Sequence, residues 1–229
     1  MVAIGLFCLA AIFAVADWYA VAKKISWLRY SAKPLVILLL GVWLLLQPIA
    51  FSELFWFFLA LVFSLIGDIW LLAPSRFFMA GLASFLLTHI CYVIGINREL
   101  PPATWQVFSL AGAFIILGIF IYPILFRGVK RQSGARKLQG ATLIYYIVLS
   151  LMAFSATTTL ARPDWERQAA VCVAIGGLCF FFSDFLLAYD RFIRPVRHGR
   201  LAVHITYHLG QFGLIAGVVW QLLVISLTG

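Results

Sequence analysis

Charge is scarce in this chain, and acidic charge is scarcest. Only 11% of the 229 residues are charged, and Asp and Glu number eight against 17 Lys and Arg. A soluble domain of this size needs far more polar surface, whereas 64% of these residues are hydrophobic and come in long runs, so water is excluded as the main solvent. The four cysteines, Cys8, Cys91, Cys172 and Cys179, all fall inside apolar runs without metal-ligand spacing. That pattern argues against a disulfide framework and for small core residues. The polar stretches between the runs are short, which leaves no room for a soluble domain among them.

What is present is a series of apolar segments near residues 3–22, 34–50, 53–73, 77–96, 104–126, 138–161, 168–189 and 201–226. A hydrocarbon core roughly 30 Å thick needs about 20 helical residues, which all but the second segment meet comfortably. The runs are continuously apolar and do not alternate, so helices are expected over a barrel. The fold class expected is all-α, a polytopic bundle of eight transmembrane helices forming one integral membrane domain over 1–229. The first segment ends in Ala-Val-Ala before Asp17, like a leader cleavage site, but no positive charge precedes it. It therefore reads as a span.

The net charge of +9 is placed by loops and does not call for nucleic acid. Lys23, Lys24, Arg29 and Lys33 follow the first segment, Arg76 the third, Arg127, Lys130, Arg131, Arg136 and Lys137 the fifth, and Arg191, Arg194, Arg197 and Arg200 the seventh. The intervening connections hold no excess of positive charge. Eight consecutive spans produce this alternation, with the basic loops cytoplasmic and both termini on the opposite face.

Two stretches repeat: Gly67-Asp-Ile-Trp-Leu-Leu-Ala-Pro-Ser-Arg-Phe77 and Ser183-Asp-Phe-Leu-Leu-Ala-Tyr-Asp-Arg-Phe192. His89 follows the first aspartate, Asp68, much as His204 follows the second, Asp184. The expectation is a four-helix unit duplicated in parallel, 1–100 and 101–229, since an even number of spans preserves orientation. A charge within a span costs roughly 2.5–3.5 kcal/mol on insertion scales and marks the protein interior or a water-filled cavity. Asp68 and Asp184 stand at similar distances before Arg76 and Arg191, and so at matched depth. Asp17 is at a comparable level. Ser64 with Asp68, Thr88 and His89 with Tyr92, and His204, Tyr207, His208 and Gln211 recur at spacings of three and four, so they share helix faces able to line one cavity. Taken singly, Ser64, Thr88 and Gln211 read as interhelical hydrogen bonds.

Two carboxylates in a low-dielectric site cannot both ionise cheaply, so one keeps its proton and the other stays charged. Such a pair suits protonation of an acid-labile bond, stabilisation of a cationic intermediate and direction of water onto it.

Gly67-Asp68, the His89-Ile-Cys-Tyr92 patch, Ser183-Asp184, Thr206-Tyr207 with Gln211, and Lys33-Pro34 opening the second helix together resemble the YhhN-like family of membrane proteins, whose animal members are lysoplasmalogenases. The resemblance covers essentially the whole chain. It implies hydrolysis of the vinyl ether bond of a lysophospholipid to a fatty aldehyde and a glycerophospho-base, without a known cofactor requirement; the location expected is a bacterial inner membrane. On this reading Asp68 and Asp184 are catalytic, and His89, Tyr92, Ser183, Tyr207, His208 and Gln211 support them. Lys33 is a candidate for the substrate phosphate, or else a cation snorkelling to the interface. The partners implied are lysophospholipid and membrane lipids.

His204 and His208 depart from the family pattern. They stand four apart, a zinc-ligand spacing on a helix, and with His89 they raise an alternative metal site of the alkaline ceramidase type. A proton-coupled transporter using the same aspartates is a further alternative.

Overall fold

A backbone amide that leaves water for lipid must be paired within its own segment, and each long apolar run of this chain meets that demand as a helix. The computed structural model describes residues 2–131 and 135–228. Among them, eight helices are long and apolar enough to cross a membrane. They are α1 (Val2–Lys23), α2 (Ser26–Leu45), α3 (Phe51–Leu72), α4 (Phe78–Ile96), α5 (Trp105–Lys130), α6 (Ala135–Thr158), α7 (Arg167–Phe192) and α8 (Gly199–Thr228). Short 3-10 turns at Ser75–Phe77 and Thr159–Ala161 precede α4 and extend α6. The chain is therefore a multi-pass membrane protein.

The boundary that departs most from expectation is that of α2. Pro34 was expected to open this helix at residue 34, but it lies within it, and α2 starts eight residues earlier. Proline costs the hydrogen bond to the carbonyl four residues back. The close turn after α1 sets the start instead, with Lys24 in the left-handed region at φ 59° and the Ile25 amide bonded to Ala20 O. Arg29 and Lys33 thereby move from a loop onto a helix. Arg127 and Lys130 likewise fall in the last turn of α5, and Arg191 in the last turn of α7, where a cation complements the helix dipole. Arg136 and Lys137 fall in the first turn of α6, and their side chains lie outside the described residues.

The bundle is wet by lipid outside and closely packed inside. Ile115, Ile119 and Phe120 on α5 are mostly exposed, as a hydrocarbon solvent permits. The core runs through Phe57, Phe85, Tyr92, Met152, Phe180, Tyr207 and Leu214. Helix α7 packs most extensively on α8, α3 on α4, and α1 on α2. Without water to drive helices together, close backbone approach must supply much of the attraction, and small residues allow it. Gly176 of α7 meets Gly210 and Gly213 of α8: a Cβ on Gly213 would stand 2.8 Å from Gly176 Cα and 2.9 Å from Cys172 O.

These obstacles are backbone atoms and cannot swing aside. Gly213→Val is expected to destabilise the detergent-solubilised protein by at least the roughly 1–3 kcal/mol of an overpacked core. Gly112→Ala, whose Cβ meets nothing within 4 Å, should leave thermal unfolding unchanged or raise its midpoint. Equal midpoints for the two variants would contradict the α7–α8 contact.

Candidate active site

Asp184 stands on α7 and is 7% exposed. Its Oδ2 lies 2.9 Å from Nε2 of His89 on α4 and accepts a hydrogen bond from the Tyr145 hydroxyl on α6. The other His89 nitrogen, Nδ1, is buried without a protein partner. Ser183, next in sequence, turns the other way and donates to Val203 O across the α7–α8 seam at 3.0 Å. Beyond Asp184 opens a cavity of about 250 Å³ between α4, α5, α6 and α7. Leu82, Leu86, Leu149 and Phe185 are typical of its walls, and Asp184 is the only ionisable carboxyl among the lining side chains.

Asp68 on α3 is fully buried and has a different environment. Its Oδ1 is 2.9 Å from the Lys33 ammonium, and its Oδ2 accepts the Tyr207 hydroxyl at 2.9 Å. Lys33 is only 6% exposed, so of its two readings, a contact for the substrate phosphate or a snorkelling cation, the fold does not produce the second. Because α2 begins early, Lys33 is carried inside, where burying one charge requires the other. It also borders a second cavity, of about 380 Å³, that opens among the basic helix ends. Phe78 and Leu187 line both cavities.

Among the described residues the two aspartates share no hydrogen-bond partner. Aromatic rings join their surroundings: Phe180 lies 4.8 Å from the His89 ring and 5.3 Å from that of Tyr207, edge-on to both. Behind them runs a polar chain. Tyr92 donates to Gln211 Oε1 at 2.5 Å, Gln211 Nε2 donates to Ser64 Oγ at 2.8 Å, and Ser64 meets Thr88 at 3.2 Å. Tyr92 and Gln211 thus bind α4 to α8 and α3, and among the described residues neither is hydrogen-bonded to Asp68 or Asp184.

A third buried carboxylate organises the α1–α8 contact. Asp17 Oδ2 lies 2.6 Å from His204 Nδ1 and 4.0 Å from His208 Nδ1, and that His208 nitrogen accepts Trp18 Nε1–H at 3.0 Å. His204 and His208 therefore turn to Asp17 while His89 turns to Asp184, so the three histidines are not gathered. Among the described residues no group of three or more His, Cys, Asp or Glu side chains is placed to hold a metal ion.

Tyr145 and Trp18 carry direct contacts that the sequence did not single out. Tyrosine and tryptophan are ordinary in apolar spans, and only their neighbours make these two distinctive. Asp17 gave the same signal as Asp68, an acid within an oily run.

Comparison with known proteins places the chain in a family. The YhhN family matches residues 28–218, a stretch that contains Lys33, Asp68, His89, Tyr145, Asp184 and Tyr207. The chain belongs to the YhhN family. It is 29% identical to human lysoplasmalogenase TMEM86A over 194 residues, covering 81% of this chain and 76% of the human one. Human lysoplasmalogenase TMEM86B is 25% identical over 190 residues, with 82% and 74% covered. A lysoplasmalogenase of Mycobacterium bovis is 29% identical over 147 residues, 60% of this chain and 50% of that one. No solved structure gives a significant match. Asp17 and Trp18 precede the region matched to the family, whereas every partner of Asp68 and Asp184 lies within it.

The Lys33–Asp68 pair yields a direct test. Lys33→Met leaves a buried carboxylate without its cation, and a broken buried pair typically costs about 3–5 kcal/mol. Adding Asp68→Asn removes the charge that was stranded, so the double variant should unfold at a higher temperature than Lys33→Met alone. A double variant no more stable than the single one would mean that the two side chains are not paired.

Proposed function

We propose that this protein hydrolyses the vinyl ether bond of a lysophospholipid, as a lysoplasmalogenase does. The observation that carries this reading is Asp184: a buried carboxyl held by His89 and Tyr145 at the wall of a cavity otherwise suited to a hydrocarbon chain. The names of the relatives support it. An enzyme that splits an enol ether must bring an acid to a carbon atom next to an alkyl chain, and here an acid borders an apolar cavity.

In the proposed reaction Asp184 delivers a proton to the β-carbon of the vinyl ether. The π electrons form the new C–H bond, and an ether-oxygen lone pair completes the oxocarbenium ion. Water adds to the α-carbon, and loss of a proton gives a hemiacetal. The hemiacetal collapses to the aldehyde as the glycerol oxygen leaves with a proton. His89 and Tyr145 orient Asp184, and the buried His89 ring provides the route by which the proton is replaced. Asp68, with Lys33 and Tyr207, forms the fixed electrostatic wall on the other side, its negative charge steadying the cationic intermediate. Asp68 is paired with the Lys33 ammonium, whereas the partners of Asp184 are His89 and Tyr145, and on this difference the role of acid is given to Asp184 and that of counter-charge to Asp68. Each step uses this chain's own side chains and water. We infer that the basic helix ends are cytoplasmic, with both termini opposite, and that the membrane is a bacterial inner membrane.

The contacts also support a duplicated four-helix unit. His89-Ile-Cys-Tyr92-Val-Ile-Gly95 on α4 parallels His204-Ile-Thr-Tyr207-His-Leu-Gly210 on α8. Each repeated aspartate takes one partner from the helix before it, Lys33 of α2 for Asp68 and Tyr145 of α6 for Asp184. Each takes a second from the last helix of the other half, Tyr207 of α8 and His89 of α4. An approximate two-fold exchange between repeats has this form.

The test is aldehyde release from a 1-alkenyl lysolipid by purified protein in detergent, with and without chelator. Asp184→Asn and Asp68→Asn should each lower kcat by about 10²–10⁴-fold, the usual loss for an acid–base group, while the protein remains folded. Full activity in both would sink the mechanism. Chelator should have no effect. Proton-coupled uptake into proteoliposomes with no aldehyde formed would favour transport instead.

A further inference from the structure

The second cavity is built from the cytoplasmic-side ends of five helices, α2, α3, α4, α7 and α8, and the turn before α4, and its charged lining is mostly positive. Arg29 of α2, Arg191 of α7 and Arg200 of α8 face it together with Lys33 and His204. None of these three arginines forms a salt bridge among the described residues. Arg29 Nε is buried with no hydrogen-bond partner among the described residues. The Arg191 guanidinium rests over the Phe78 ring, 4.9 Å from its centroid, and Phe78 is a wall shared with the chain cavity. The one carboxylate in the lining is that of Asp190, whose Oδ1 accepts the Val196 amide at 2.8 Å. Lys33 is held by Asp68 at 2.9 Å.

Positive residues at the cytoplasmic ends of spans are expected from topology alone, but topology requires neither a shared cavity nor a buried unpaired donor. Guanidinium forks match phosphate oxygens bidentately, and Arg29, Lys33, Arg191 and Arg200 against the single carboxylate of Asp190 give the lining an excess of positive charge that favours a net-negative headgroup over a zwitterionic one. We propose that this cavity binds the substrate phosphate, and that the protein selects lysolipids whose headgroup is net negative, such as a phosphate monoester, over phosphocholine. Arg29, Arg191 and Arg200 supply the contacts. The phosphate role thus passes from Lys33, which is spent on Asp68, to the arginines around it. With phosphate here, the shared walls Phe78 and Leu187 lead the attached chain into the apolar cavity beside Asp184. This selection rests on the hydrolase reading of that cavity.

The experiment compares three 1-alkenyl lipids of one chain length that carry phosphate monoester, phosphocholine or free glycerol. Aldehyde release by the purified protein is the first readout. The monoester should exceed the choline lipid in kcat/KM by roughly tenfold or more, since like-charge juxtaposition suppresses the wrong partner. In Arg29→Gln/Arg200→Gln that ratio should collapse toward one through KM. Thermal stabilisation by the three corresponding 1-alkyl lipids, which have no vinyl ether to cleave, is the second readout and follows the same order. Absence of aldehyde from all three alkenyl lipids defeats the hydrolase reading, and the alkyl series still decides the cavity. Choline lipid that stabilises as well as monoester, or an order indifferent to the arginine substitutions, overturns the proposal.

Discussion

The cost of placing a carboxylate in a low-dielectric interior governs this bundle. Three acids, Asp17, Asp68 and Asp184, lie within spans and are almost wholly buried. A buried charge is tolerable when hydrogen-bonded or paired, and here each finds its partner on another helix. Asp17 joins α1 to α8, Asp68 joins α3 to α2 and α8, and Asp184 joins α7 to α4 and α6. Seven of the eight helices are stitched by these contacts. The exception, α5, is the least buried span and packs chiefly on α6 and α7. The same demand that makes an intramembrane acid expensive therefore fixes which helices must be neighbours.

Equivalent positions in the two proposed repeats have been given unequal partners. Asp68 has a lysine ammonium beside it, whereas Asp184 has a histidine and a tyrosine, residue types able to hold or pass a proton. A symmetric pair would offer two identical acids in identical surroundings. Of the two, Asp184 is the one that borders the apolar cavity. In the proposed reaction this is the distinction required, since the acid must reach a carbon atom and the counter-charge need only be near it.

The spans were legible because uninterrupted apolar runs have one physical solution in lipid, and the aspartates because a charge in such a run is conspicuous. Their partners were not. Tyr145 sits among apolar neighbours where a tyrosine draws no notice, and its hydroxyl acquires meaning only when α6 is laid against α7. Lys33 was visible and misplaced: Pro34 beside it suggested a helix start, and a lysine just before a helix start belongs at an interface. The turn at Lys24 and Ile25 overrode that local signal and carried the cation inward to Asp68. His204 and His208 showed the limit of spacing arguments. Four residues apart they suit a metal, yet Asp17 one helix away, with Trp18 donating to His208, accounts for their orientation.

The adjacency of two unlike cavities is the feature that spacing could least reveal, because each draws its walls from four or more elements. A single-chain phospholipid is itself two unlike parts joined at the glycerol, and the bond between chain and glycerol lies at the junction. A protein that holds the chain among leucines and phenylalanines and the phosphate among arginines must present that junction near Phe78 and Leu187, where the two linings meet. The aspartates approach this boundary from opposite sides, Asp184 through the apolar wall and Asp68 through Lys33 in the basic one. On the proposed function, then, selectivity for the bond comes from the distribution of oil and charge along the substrate, and the acid need only be placed where that distribution changes.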